Sequence, residues 1–150
     1  MKTKYLAYGS NLNKEQMMMR CPHAEPKNLI ILQNFRLIFR GVADIIPASG
    51  FVVPVVEWLI TEQCEKSLDI YEGFPNLYDK KYFCDNDGTS FMTYTMNGNG
   101  FQMPPLNYLK VIERGYDDFG IDKTYITEAL EFTKANQDGL GYIPTRYKSA

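Results

Sequence analysis

The chain has 150 residues, of which 45% are hydrophobic and 23% are charged, and such a length and composition are typical of one globular domain. Its formal net charge of −2 provides no basic surface, so we expect no nucleic-acid partner. The sequence has no apolar run of about 20 residues and no basic start followed by a long apolar stretch, so we expect neither a membrane span nor an export signal.

Three cysteines, Cys21, Cys64 and Cys84, are widely spaced along the sequence. Three cysteines cannot all pair, and no C-x-x-C spacing occurs, so we expect neither a disulfide framework nor a thiolate zinc site. Because reduced cysteines are typical of the cytosol, we expect a cytoplasmic protein.

The first predicted element is a short buried strand at Tyr5–Tyr8, which stops at the corner Gly9-Ser10-Asn11. A helix is predicted from Lys14 to about Arg20, because Asn13 is a good N-cap and Gln16 occupies the third helical position, as in a capping box. Runs rich in β-branched and aromatic residues predict three further strand segments, at residues 29–32, 35–39 and 51–60.

A second helix is predicted to begin after Thr61 and to end at Gly73. Threonine is a favourable N-cap, and glycine commonly ends a helix. Within this segment Cys64, Leu68 and Tyr71 recur at positions i, i+4 and i+7, which places them on one face of the helix.

The second half is predicted to contain a β-hairpin and then two helices. Asp87-Gly88 between two strand-like runs predicts a type I′ turn, which requires positive φ at both central residues. The helices are predicted at about 106–116 and 123–134, the second with Asp122 as its N-cap. Residues from 136 onward have a loop-like composition.

These elements predict an α+β fold, because strands and hairpins are interspersed with helices without strict alternation. A mixed or barrel-like sheet is therefore favoured over a doubly wound fold. We divide the chain into one domain, residues 1–135, and a C-terminal tail, residues 136–150.

The corner at Gly9-Ser10-Asn11 is the first candidate site. A strand that turns directly into a helix can direct successive backbone N–H groups into one concavity, beside the positive end of the helix dipole. Gly9 permits positive φ and a close approach of ligand to backbone, and Ser10 adds a hydroxyl donor. These features favour an anion site, but a tight turn with side-chain capping explains the same pattern.

Glu72 is the second candidate. It ends the predicted second helix, where the helix dipole disfavours a carboxylate, and the aromatic neighbours Tyr71, Phe74 and Tyr78 can exclude water. Both effects raise the pKa of a carboxyl group, which makes Glu72 a candidate general base and general acid. The alternative is a solvated glutamate beside the glycine that ends the helix.

Other patterns favour no site. Cys21 and His23 flank Pro22 and point along different directions of a turn, so they do not form a nucleophile–base pair, and we expect His23 on the surface. The Asp85–Gly88 segment lacks the glutamate that closes a calcium loop. We therefore expect no metal site.

Three motifs taken together resemble the γ-glutamylcyclotransferase family, including its AIG2-like members. They are Tyr8-Gly9-Ser10-Asn11-Leu12, Leu68-Asp69 with Tyr71-Glu72-Gly73 and Tyr78, and Pro104-Pro105 with Tyr108. The stretches CPHAEP, FRLIFRGVADIIP and GYDDFG also look like the small bacterial members. The resemblance extends from about Tyr5 to Ile121.

The resemblance implies a small mixed β-barrel flanked by helices, without metal or cofactor. It also implies release of 5-oxoproline from a γ-glutamyl peptide or γ-glutamyl amine by intramolecular attack of the α-amine. Glu72 would be the catalytic acid and base, and the loop at the corner would hold the α-carboxylate and backbone of the γ-glutamyl group. The implied substrate-binding residues are Tyr8, Gly9, Ser10, Asn11, Leu12, Tyr78 and Tyr108.

Two alternatives stay open: a non-catalytic module that binds a γ-glutamyl or amino-acid-like ligand, and an enzyme that removes a γ-glutamyl group from a natural product. The partner is a small molecule in each case, and the leaving group and the oligomeric state are left open. Two residues depart from the family pattern. Asp44 replaces a common threonine, and a carboxylate there can alter the rim of the site. Glu57 replaces an apolar residue, and the effect of both on the site is left open.

Overall fold

The structure is a computed structural model that describes residues 2–148. Its strands are β1 (Lys2–Ala7), β2 (Glu25–Arg40), β3 (Val42–Thr61), β4 (Tyr78–Cys84) and β5 (Ser90–Met96). Its helices are α1 (Lys14–Arg20), α2 (Glu62–Glu72), α3 (Leu106–Asp118) and α4 (Thr124–Asn136), with short 3₁₀ turns at Ser10–Leu12 and Thr145–Tyr147.

The strands form one mixed sheet in the order β2-β3-β1-β5-β4. β1 pairs antiparallel with β3 and parallel with β5, which confirms the predicted α+β class and mixed sheet. The predicted barrel is not closed, because no hydrogen-bonded ladder joins β2 to β4 in residues 2–148. The outer strands instead meet through side chains, with the rings of Phe35 and Phe83 edge to face at 5.4 Å.

The long hairpin of β2 and β3 dominates the sheet and differs from the separate segments that were predicted. The expected break near Asn34 is a shift in strand register, and Asn34 has a φ of 64° there. The β-structure also includes residues 42–50, where Pro47 and Gly50 weakened the sequence signal. The two strands join at Gly41, whose φ of 88° is readily adopted by glycine.

The first two helices follow the sequence prediction closely. The side chain of Asn13 accepts the N–H of Gln16 at 2.9 Å, as the predicted cap of α1 requires. Thr61 accepts the N–H of Cys64 at the start of α2, and Gly73 ends that helix with a φ of 67°. These caps fix the point at which α2 ends and therefore the position of Glu72, its last residue.

The β4–β5 hairpin is confirmed, but the expected type I′ turn is wrong. Gly88 has a positive φ of 79°, whereas Asp87 is not among the described residues with positive φ. Instead, the carboxylate of Asp85 accepts the N–H groups of Asp87 and Thr89, each at 2.9 Å. A side-chain bond of this kind stabilises a longer turn and competes with the two-residue one.

Cys21 and Cys64 form a disulfide, which corrects the expectation that the cysteines stay unpaired. They are 43 residues apart in sequence, but their Cα atoms are only 5.0 Å apart. The pair joins the C-terminal end of α1 to the first turn of α2, and sequence spacing alone does not report such tertiary proximity. Cys84 is exposed and unpaired, and the cytoplasmic location stays a prediction.

The C-terminal segment, residues 137–148, packs against the domain, and residues 149 and 150 of the predicted tail lie outside the described residues. The backbone N–H of Tyr142 donates to the carbonyl of Arg40 at 2.6 Å, and Tyr147 is buried within the same hydrophobic core as Trp58 and Phe39. Across residues 2–148, no helix has the length and apolar character that crossing a membrane requires.

Candidate active site

The corner after β1 forms one wall of a cavity. The N–H groups of Leu12 and Asn13 donate to the carbonyls of Gly9 and Ser10 at 3.0 and 3.1 Å, which closes the 3₁₀ turn. By contrast, the backbone N–H groups of Ser10 and Asn11 meet no protein acceptor within residues 2–148. Both residues are buried, so two unpaired donors are available to a ligand at the corner.

The absence of a side chain at Gly9 keeps space open at this corner. Its φ is −119°, so the positive φ that glycine permits is not used here. A Cβ atom at this position would lie 3.2 Å from the Cβ of Ala43 and 3.4 Å from the hydroxyl of Tyr108. A larger side chain would therefore fill the space in which the corner faces β3 and α3.

Glu72 is hydrogen-bonded to this corner. Its Oε1 accepts a bond of 3.1 Å from Nδ2 of Asn11, and the same Nδ2 donates to the hydroxyl of Tyr5 at 2.8 Å. Arg20 donates from Nη1 to Oδ1 of Asn11 at 2.8 Å, which fixes the orientation of the amide. Asn11 thus couples the carboxyl group at the end of α2 to the loop after β1.

Burial raises the pKa of Glu72 to about 7, while Arg20, Arg146 and the bond from Asn11 act in the opposite direction. Although the residue as a whole is partly exposed, its carboxyl group lies among buried aromatic side chains at the cavity. A carboxyl group with this pKa is present in both protonation states near neutral pH. It can therefore accept a proton and later return it.

A small cavity lies in front of Glu72. Its walls consist mainly of tyrosines and the corner residues: Tyr5, Tyr8, Gly9, Ser10, Asn11, Ala43, Glu72, Tyr78, Tyr94 and Tyr108. The structure thus brings all the proposed site residues together except Leu12. Leu12 is fully buried and packs against Gly115 of α3, since a Cβ on that glycine would lie 2.7 Å from its own.

Hydrogen bonds to the backbone of Ala43 hold two of the tyrosines. Tyr78 donates its hydroxyl to the carbonyl of Ala43 at 2.7 Å, and Tyr108 accepts the N–H of Ala43 at 3.0 Å. Burial raises the pKa of both tyrosines well above the ordinary value, so both stay neutral. Because the bond to Ala43 uses Tyr108 as an acceptor, the O–H of Tyr108 can still donate to a ligand.

Two arginines beside the carboxyl group were not among the residues predicted from the sequence. The guanidinium carbons of Arg20 and Arg146 lie 3.5 and 4.3 Å from the centre of the Tyr71 ring. The hydroxyl of Tyr71 is in turn 3.0 Å from Oγ of Ser10. Both arginines are distant from Glu72 in sequence and belong to none of the three motifs, so only the tertiary structure reveals them.

A second small cavity adjoins the first. The two share Ser10, Glu72, Tyr78 and Tyr108. The C-terminal segment contributes Pro144 and Arg146 to the second cavity. Glu72 therefore borders two adjacent spaces, one at the corner and one beside the C-terminal segment.

The two departures from the family pattern lie outside these cavities. Asp44 is buried and accepts a bond of 2.8 Å from Nε of Arg40, and it also accepts the N–H of Met96 at 3.0 Å. It therefore links β3 to β5 and does not line the cavities, although its charge contributes to the raised pKa of Tyr8 and of Tyr78. Glu57 is buried and accepts a bond of 3.2 Å from Asn28.

No group of three or more potential metal ligands occurs within the part of the chain that the structure describes.

No protein-family model and no curated protein matches the sequence. Solved structures do match it. One named gamma-glutamyl cyclotransferase is 26% identical, with a TM-score of 0.73 over 98% of this chain and 96% of that chain. An uncharacterized protein from Homo sapiens, loc79017, is 25% identical, with a TM-score of 0.71 over 97% of this chain and 95% of the other.

YkqA from Bacillus subtilis shares the fold at lower identity. It is 19% identical, with a TM-score of 0.71 over 92% of this chain and 56% of its own. These similarities confirm the fold that the three motifs implied.

Proposed function

Because the chain is γ-glutamyl cyclotransferase-like in its fold and its motifs, we propose that it is an enzyme that releases 5-oxoproline from a γ-glutamyl peptide or γ-glutamyl amine. The observation that carries this proposal is the carboxyl group of Glu72. It has a pKa of about 7 and is bonded through Asn11 to a corner with unpaired backbone donors.

The corner binds the amino-acid end of the γ-glutamyl group in this proposal. The N–H groups of Ser10 and Asn11 donate to the α-carboxylate, and the absence of a side chain at Gly9 leaves room for it. With the carboxylate held there, the α-nitrogen is placed toward Glu72. Folding the glutamyl chain in this way makes ring closure intramolecular, and orientation of this kind can supply several kcal/mol of the lowering of the barrier.

Glu72 then moves two protons in succession. As a carboxylate it takes one proton from the α-ammonium group, and the freed amine attacks the γ-carbonyl carbon. The carboxylic acid gives that proton to the leaving nitrogen as the C–N bond breaks. The second proton, left on the ring nitrogen after attack, follows the same route, so the products are 5-oxoproline and an ammonium group.

Tyr108 is the proposed donor to the oxyanion. Attack places negative charge on the γ-carbonyl oxygen, and a preorganised donor stabilises that charge in the transition state. The O–H of Tyr108 is available because its oxygen already accepts the N–H of Ala43. Its raised pKa keeps the proton on the hydroxyl group while it donates.

The competing hypothesis is a module that binds a γ-glutamyl ligand without turnover. A binding module has no need of a buried carboxyl group that titrates near neutral pH, since a buried, unpaired charge is costly. The position of Glu72 in the cavity therefore favours the enzyme.

The experiment is a measurement of 5-oxoproline release from γ-glutamyl-alanine, glutathione, γ-glutamyl-ε-lysine and a γ-glutamyl amine. Wild type is compared with Glu72→Gln, and with Glu131→Gln on the exposed face of α4 as a control for loss of one carboxylate. We expect release by wild type and the control, and none by Glu72→Gln. Retained calorimetric binding without release from any substrate would favour the binding module.

A further inference from the structure

The C-terminal segment is a fixed wall of the second cavity. It is attached to the sheet through the bond from Tyr142 to the carbonyl of Arg40. At its other end, the ring of Tyr147 packs edge to face on the ring of Tyr108, with the centroids 4.9 Å apart. Arg146 lies between these two attachments, so its side chain is presented to the cavity by an anchored backbone.

Arg146 has no carboxylate partner among residues 2–148. It forms none of the ion pairs within 4.0 Å in this part of the chain. Its guanidinium carbon lies instead above two aromatic rings, 4.3 Å from the centre of Tyr71 and 5.2 Å from that of Tyr147. The other arginine at the site, Arg20, already donates to the side chains of Asn11 and Gln16.

The position of Arg146 suits a ligand group beyond the scissile bond. The corner that binds the γ-glutamyl end lies in the first cavity, whereas Arg146 lines the second, and Glu72 borders both. When Glu72 returns its proton to the leaving nitrogen, the leaving group must extend away from the corner. The second cavity is the space next to Glu72 that the corner does not occupy.

Building on the proposed function, we propose that Arg146 determines the leaving group by binding a carboxylate on it. A guanidinium group presents several N–H donors in a planar fork that matches the two oxygens of a carboxylate. The substrates are then γ-glutamyl amino acids or peptides, and uncharged γ-glutamyl amines are poor substrates. The aromatic rings beneath the guanidinium hold it in place without neutralising it.

The test compares two substrates that differ only in this carboxylate, γ-glutamyl-alanine and γ-glutamyl-alaninamide. For wild type we expect kcat/KM to be about 3- to 10-fold higher for the acid, because Arg146 is exposed and solvent screens its bond to the carboxylate. Arg146→Gln should abolish the preference by lowering the rate on the acid more than the rate on the amide, because any effect through the pKa of Glu72 acts on both substrates alike. Arg146→Lys should restore part of the preference. Lys148→Gln removes the same charge two residues away and should keep the preference.

The outcomes separate this inference from the proposed function. Equal turnover of acid and amide by wild type overturns the role of Arg146 and leaves the cyclotransferase intact. An equal loss on both substrates in Arg146→Gln also overturns it, because the arginine would then act on the shared γ-glutamyl half or through Glu72.

If neither compound is turned over, the rest of the substrate panel decides the proposed function, and calorimetry with the same two compounds decides the role of Arg146. Tighter binding of the acid that is lost in Arg146→Gln supports that role. Equal binding of the two, or no binding, contradicts it.

Discussion

Replacing Glu72 with glutamine should stabilise the protein above neutral pH while it abolishes turnover. Burial raises the pKa of this carboxyl group from 4.5 to about 7. Between these values the folded state holds the proton and the unfolded chain does not. The contribution of this carboxyl group to the free energy of unfolding is therefore fully present below about pH 4.5, and it is lost as the pH rises through about 7.

The size of the effect follows from the two pKa values. A pKa increase from 4.5 to about 7 corresponds to about 3 kcal/mol, at about 1.4 kcal/mol for each pH unit. Because part of the side chain is exposed, solvent screening lowers the expected loss to about 2 kcal/mol. Glutamine keeps the bond from Asn11 and carries no charge, so the variant avoids this loss.

Urea unfolding at pH 4.5 and pH 8 measures this difference. Glu72→Gln should match wild type at the lower pH, apart from a small constant, and exceed it by about 2 kcal/mol at the higher pH. The control Glu131→Gln should follow wild type at both values. If Glu72→Gln is no more stable than wild type at pH 8, burial of the ionised carboxylate does not destabilise the folded protein, and the pKa of Glu72 is not raised.

Three further predictions concern the surroundings of this group. The value of kcat/KM should rise with pH through about 7, the pKa of Glu72. Arg20→Gln should move this rise to higher pH, because the lost cation lowers the pKa of Glu72. An unchanged pH profile in the variant would contradict this. Gly9→Val should abolish substrate binding in calorimetry, whereas Gly98→Ala, with no neighbour within 4 Å, should bind normally; normal binding by both variants would refute the role of the corner. Serine at both Cys21 and Cys64, which are separated by 43 residues, should lower the free energy of unfolding by about 2 to 4 kcal/mol in urea without reductant, because the open chain gains entropy. A loss of the same size on replacing the exposed third cysteine would contradict that reason.

Local signals predicted the helices that position the site. The caps at Asn13, Thr61 and Gly73 act through bonds between neighbours in the chain, so the sequence contains the information needed to place them. Glu72 could be identified as a candidate for the same reason, since the helix end and the aromatic residues around it lie within one short segment. Burial, which only the fold provides, proved to be the main cause of its raised pKa.

Features that depend on tertiary contacts could not be predicted from the sequence. The disulfide between Cys21 and Cys64 requires two helix ends to meet, and no local pattern reports this. Likewise, Arg20 and Arg146 approach the same ring from opposite ends of the chain. Asp44 appeared to belong to the rim, but its buried pairing with Arg40 depends on the register of the long hairpin.

The acyl product formed from γ-glutamyl-alanine in water enriched in oxygen-18 distinguishes cyclisation from hydrolysis. Intramolecular attack by the α-amine uses no water, so we expect 5-oxoproline that carries no label from the solvent. Glutamate with labelled oxygen in its γ-carboxylate would show that water attacks the γ-carbonyl, and it would contradict cyclisation assisted by Glu72.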